Sequence, residues 1–174
     1  MKISKNKKGQ FYFLAVIVLA SVFIGFVTLR NSSSYPHVSN VIYEKDEINT
    51  EISYLFDYFS NEQVSNQDEI LGNFSNSYIQ KLGKNKDIFF MFGNGTSLEL
   101  FANKLNSTSL SIDYGSGDEE VTDYGTFNRS YTLSDSTFNI TLDGNLYPFK
   151  FYEGQNIYYL IKYDYSNQTF VIKG

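Results

Sequence analysis

The sequence predicts an α+β protein: an N-terminal transmembrane helix, one or two amphipathic helices, and then an antiparallel β-sheet or sandwich. Three observations predict it. Phe11 to Leu29 is an apolar run of 19 residues without a charge, and apolar residues recur at helical spacing from Val38 to Asn61. From Asp87 onward, short apolar-aromatic runs alternate with turn residues. A chain of 174 residues holds one ordinary domain plus an appendage.

In chain order, the elements begin with a basic leader, residues 1–9, in which Lys2, Lys5, Lys7 and Lys8 precede any acidic residue. Residues 10–30 follow as the membrane segment. At about 1.5 Å per residue its apolar run gives roughly 28 Å of helix, enough for a bilayer core of about 30 Å. Lysines before it and Arg30 after it put the N-terminus in the cytoplasm and the rest outside, a single-pass topology at the cell membrane. A cleaved secretory signal would have a shorter apolar core and a small-x-small site; here the run ends in Thr28-Leu29-Arg30-Asn31.

Lys7-Lys8-Gly9-Gln10 abuts the apolar run directly. A short basic leader ending in Gly before a retained hydrophobic helix resembles the prepilin-type leaders of type IV pilins, and the Gln after the Gly resembles the archaeal, class III form. The aromatic start Phe11-Tyr12-Phe13-Leu14 is similar to that of a set of uncharacterised archaeal surface proteins. The resemblance covers about 30 residues. It implies processing between Gly9 and Gln10 by a prepilin-type peptidase, and self-assembly or assembly with other pilin-like subunits. Small residues such as Ala15, Ala20, Ser21 and Gly25 would let such helices approach closely in a filament core. Leu14 stands where the bacterial pattern has a glutamate, which removes the bacterial register pairing. The competing reading is an uncleaved signal anchor carrying a monomeric binding domain.

Residues 31–37 read as a hinge, polar and closed by Pro36. Residues 38–174 form the extracytoplasmic domain. Its first helix, 38–61, carries Val38, Val41, Ile42, Ile48, Ile52, Leu55, Phe56 and Phe59 on one face and Glu44, Asp46, Glu47 and Glu51 elsewhere. A second helix is predicted over 68–82, with Ile70, Leu71, Phe74, Tyr78 and Leu82 on one face and Gly83 as its cap; Gly72 and Asn73 weigh against it. Strands are expected at 88–92, 98–102, 109–114, 127–133, 137–142, 146–152, 157–165 and 170–173. Gly93-Asn94-Gly95, Asp143-Gly144 and Ser166-Asn167-Gln168 mark hairpin turns. Connections this short make the pairing antiparallel, in a sheet of six to eight strands.

Composition removes most catalytic chemistry. With no Cys and one His, thiolate metal sites, cysteine nucleophiles and multi-imidazole sites are excluded. From Asn31 onward 9 basic residues face 19 acidic ones, a net of −10 that disfavours nucleic acid as a partner. His37 has no neighbouring carboxylate or hydroxyl arranged for a base. Asp68 and Glu69 complement the dipole of a helix start. No nucleophile elbow, phosphate loop or dinucleotide fingerprint occurs. No catalytic residue and no cofactor is expected, and the chain reads as a non-enzymatic surface protein.

Two constellations remain. Asp113, Asp118, Glu119, Glu120 and Asp123, loosened by Gly115 and Gly117, carry enough oxygens for calcium, although glycines stand where an EF-hand needs acids. A solvated acidic hairpin loop is the favoured reading, with no metal. Seven Asn-x-Ser/Thr sequons, at Asn31, Asn73, Asn94, Asn106, Asn128, Asn139 and Asn167, are candidates for glycosylation in an exported domain. About three would arise by chance at this composition, so an Asn-rich composition is the competing account.

Overall fold

The computed structural model describes residues 36–83, 85–165 and 168–174. The leader, the processing residues Gly9 and Gln10, the apolar run from Phe11 to Leu29 and the sequon at Asn31 lie outside these residues. Among the described residues no helix is long and apolar enough to cross a membrane. Residues 45–174 form one compact unit, and the start of the first helix, up to Glu44, lies outside it.

Helix α1 spans Pro36–Glu62 and α2 spans Gln67–Leu82. The expected hinge is therefore shorter at its C-terminal end, because Pro36 opens the helix: its fixed φ and missing N–H suit a first turn. Within the compact unit α1 buries Ile48 completely and Phe59 almost so, as the helical spacing requires. The Tyr159 hydroxyl donates to Asn49 Oδ1 at 2.8 Å. In α2 the buried stripe is Leu71, Gly72, Ser75, Tyr78 and Ile79, turned slightly from the face expected. Gly72, which counted against a helix, is there because α2 lies close on the sheet: a Cβ would come 3.2 Å from the Phe101 ring. Gly83 is not a left-handed cap. It keeps a right-handed conformation, and its N–H donates to the Ile79 carbonyl at 2.8 Å.

Among the described residues nine antiparallel strands follow, where six to eight in one sheet were expected, and they divide into two sheets. They are β1 Asp87–Asn94, β2 Ser97–Lys104, β3 Leu110–Asp113, β4 Asp118–Glu120, β5 Gly125–Thr132, β6 Thr137–Leu142, β7 Asn145–Lys150, β8 Asn156–Tyr165 and β9 Gln168–Lys173. One sheet has the order β5-β2-β1-β8-β9, the other β4-β3-β6-β7. Sequential pairs β1–β2, β3–β4, β6–β7 and β8–β9 are hairpins, while the connections between them change sheet. At Asp143-Gly144 both residues have positive φ, 49° and 78°, as a two-residue turn matching strand twist demands.

The two sheets share one core. Phe89, Met91, Leu100 and Leu160 of the first meet Ile112, Phe138, Ile140 and Phe149 of the second. Alternation sends Ile88, Phe90 and Phe92 of β1 to the opposite face. There Phe90 packs against Phe74 and Tyr78 of α2 and against Tyr159, with ring centroids 5.8 to 6.1 Å apart. With both faces covered, β1 is buried along seven of its eight residues.

Candidate functional site

The acidic loop does not converge on a cation. Asp118 to Glu120 is itself strand β4, pairing Asp118 with Asp113 and Glu120 with Ser111. The two-residue side-chain period then separates the acids. Glu119 shares the face of Ile112, turned toward the other sheet, and Asp113, Asp118 and Glu120 lie on the outer face. Arg129 of β5 takes up Glu119 through Nη1 and Asp123 through Nε and Nη2, the latter at 2.6 Å. Asp113 Oδ2 accepts from Asn139 at 2.9 Å, and this bond, with the Gly115 N–H, holds its carboxyl below the ordinary range. Among the described residues no group of three or more acidic or imidazole side chains is placed to hold a metal ion. The loop instead clamps the β4 edge of one sheet to the β5 edge of the other.

The sequons differ in access. Asn73, Asn94, Asn106 and Asn128 are exposed, whereas Asn139 is half-buried and committed to Asp113. Asn94 Oδ1 is engaged by Thr96 and Ser97 in the β1–β2 turn. Asn31 and Asn167 lie outside the described residues. Asp68 and Glu69 occupy the first turn of α2 as expected, and His37 falls in the first turn of α1.

Two groupings have no local sequence signature. At one end of the sandwich Lys162 is 5% exposed. Its Nζ lies 2.6 Å from Asp143 Oδ2 and 3.6 Å from Asp87 Oδ2, and it donates to Thr108 Oγ1 at 2.9 Å. Asp87, 1% exposed, also accepts from the Leu105 N–H and the Thr108 hydroxyl, both at 2.6 Å. Burial pushes the Lys162 amine down, but the Asp143 hydrogen bond and the charges of Asp87, Asp143 and Asp164 outweigh it and leave the amine raised. Asp143 is lowered, because bonds from Lys162 and the Ser109 N–H exceed its own burial cost. Every charge in this cluster is partnered, which is the arrangement of a structural brace. Its signal was one of parity: Lys162 shares the face of Leu160 and Tyr158 in a strand whose alternate residues point into a core.

The second grouping is a cleft of about 510 Å³ along the β7 edge, where sheet edges β7 and β9 meet. It is lined by Asn139, Phe149, Lys150, Tyr152, Tyr158 and Lys173, among others. Lys173 Nζ sits 4.0 Å from the centre of the Phe149 ring and donates to the Pro148 carbonyl. The Tyr158 hydroxyl donates to the Lys150 carbonyl at 2.6 Å. Comparison with protein-family models, curated proteins and solved structures finds no match. The functional reading therefore rests on the chain's own residues.

Proposed function

We propose that this chain is a pilin-like, membrane-anchored cell-surface protein, a structural subunit or minor component of an extracellular filament rather than an enzyme. One observation carries the reading: the basic leader, Gly9-Gln10, and a charge-free run of 19 residues stand in immediate succession before the domain. Cutting between Gly9 and Gln10 would remove four lysines and take the formal charge from −5 to −9 while leaving an apolar helix free to pack with its like. The folded part supports the same reading. It is a cysteine-free domain whose sheets are tied at both the β4–β5 edge and the Lys162 end by ion pairs.

N-terminal sequencing of the native protein tests it. A mature chain that starts at Gln10 is expected, and an intact Met1 overturns the processed, pilin-like route in favour of a monomeric signal anchor. Negative-stain imaging of cell-surface preparations labelled for the protein then separates filament from isolated subunit.

A further inference from the structure

The cleft along β7 joins lysines that have no carboxylate within 4.0 Å, Lys150 feeling the Asp135 charge from farther off, to an exposed tyrosine ring. Lys81, Arg129 and Lys162 each lie within 4.0 Å of a carboxylate. Lys150 and Lys173 do not; Lys150 lies over Tyr152 with Nζ 5.9 Å from the ring centre, and Lys173 has the Pro148 carbonyl and the Phe149 ring. Partial burial pushes the Lys173 amine down, so this otherwise exposed cation lacks a counter-charge close by. An arriving anion would supply it. Beside the lysines, Tyr152 is 64% exposed, a large apolar face held at the cleft wall.

The chemistry of the walls narrows the ligand. Strand addition is blocked, because Pro148 lacks an N–H and Lys173 and Tyr158 already occupy the β7 carbonyls at Pro148 and Lys150. An extended peptide thus has no ladder to join. A polyanion meets the −10 field of residues 31–174 before it meets two lysines. What fits is a small molecule with one carboxylate, a flat C–H face for the tyrosine ring, and hydroxyls for polar groups at the wall such as Asn139 Oδ1, whose amide nitrogen is already used by Asp113. We propose that this cleft binds a carboxylate-bearing sugar of the uronic acid class, stacked on Tyr152 with its carboxylate at Lys150 and Lys173. A glycan of the cell's own surface or of a neighbouring surface would present that group. The site stands whether or not the leader is processed.

Isothermal titration of methyl galacturonoside, which carries one carboxylate, into the full-length protein in mild detergent tests it, with the neutral methyl galactoside as comparison. The acid is expected to bind at least about tenfold tighter than the neutral sugar, and Lys150→Gln and Tyr152→Ala each to weaken it about tenfold. Lys81→Gln, whose partner is Glu47 on the helices, is expected to leave the affinity unchanged. Lys173→Gln is read beside its melting curve, since Lys173 also ties β9 to β7; Lys150→Gln, on a strand edge, carries the decision if that variant unfolds. Equal binding of the two sugars, no heat from either, or wild-type affinity in Lys150→Gln overturns the proposal. So does an acidic peptide that binds in the cleft where the sugar does not.

Discussion

The two sheets are built from similar residues and solve different problems. The five-stranded sheet is covered twice, by the other sheet and by helices, so its central strand β1 reads as the continuous apolar run Ile88 to Phe92. The four-stranded sheet is covered once, and β3 and β6 alternate between buried residues and half-buried or exposed ones. The difference teaches that a continuous aromatic run marks a strand with no solvent face, while alternation marks one that keeps its outer face for polar contacts.

The largest way to test that contrast is to open the doubly covered strand. Phe90, fully buried, touches three rings from two elements, and Phe90→Ala is expected to cost about 4 kcal/mol, from the lost transfer energy and the cavity left where α2 bridges the sheet. Denaturant unfolding of the full-length protein reads this as a lowered midpoint. A cost under about 1 kcal/mol would mean that the helices do not seal this face.

Next comes the brace where the sheets meet. Lys162→Met keeps the length of the side chain but leaves Asp87 buried beside no cation, and about 3 kcal/mol of destabilisation is expected. The pH profile separates this from simple packing loss. Asp143 is held below its unfolded value near 3.9, so its contribution is present above that pH and is lost as pH falls through the folded value. Without Lys162 that acid-side loss should shrink; an unchanged acid limb would show that Lys162 is not what holds the Asp143 proton off.

How much of this was legible in the chain depends on whether the information was local. Helix limits were legible to within two residues because the 3.6-residue period of Ile48, Ile52, Leu55 and Phe59 is a property of the helix alone. Asp143-Gly144 was legible because few residues accept two successive positive φ angles. Strand β4 was not: Asp118-Glu119-Glu120 has no apolar residue and is held only by its pairing with β3 and by Arg129. Nor was the division into two sheets, since a short loop serves equally to turn within a sheet or to cross to another. The cleft joins Asn139 of β6 to Lys173 of β9, and the Lys162 brace joins Asp87 to Asp143. Such neighbours are chosen by topology, which no local spacing records.

A smaller effect probes how α1 is tied to the doubly covered sheet. Tyr159→Phe removes one hydrogen bond to Asn49 and keeps the ring on Phe90, so about 1 kcal/mol is expected. Burial, with the negative charge of Asp46, raises the Tyr159 phenol to about 12. Its stabilising share is therefore complete below the unfolded value near 10 and is lost as pH rises through the folded one. The variant should show a shallower decline between those limits in an alkaline unfolding series. A parallel decline in both proteins would place the alkaline sensitivity elsewhere, in groups such as Lys162, whose raised amine loses its proton, and with it the ion pair, at high pH.

The smallest effect belongs to the solvated face. Thr141 stands opposite Ser111 and Leu146 on the outer side of the four-stranded sheet and is only half-buried. Thr141→Val exchanges a hydroxyl for a methyl at constant shape and keeps the β-branch that suits a strand, so the unfolding midpoint should move by no more than about 0.5 kcal/mol in either direction. The same change deletes the Asn139 sequon. Asn139 is already bound to Asp113 and half-buried, so a native protein carrying glycans should lose none with Thr141→Val, whereas Asn106→Gln at an exposed loop should remove one, as read by intact mass. A stability change of several kcal/mol would mean that this face is covered by something in the native protein. A lost glycan would mean that the strand opens far enough to present Asn139, and the contrast between the two sheets would then be one of dynamics as well as of cover.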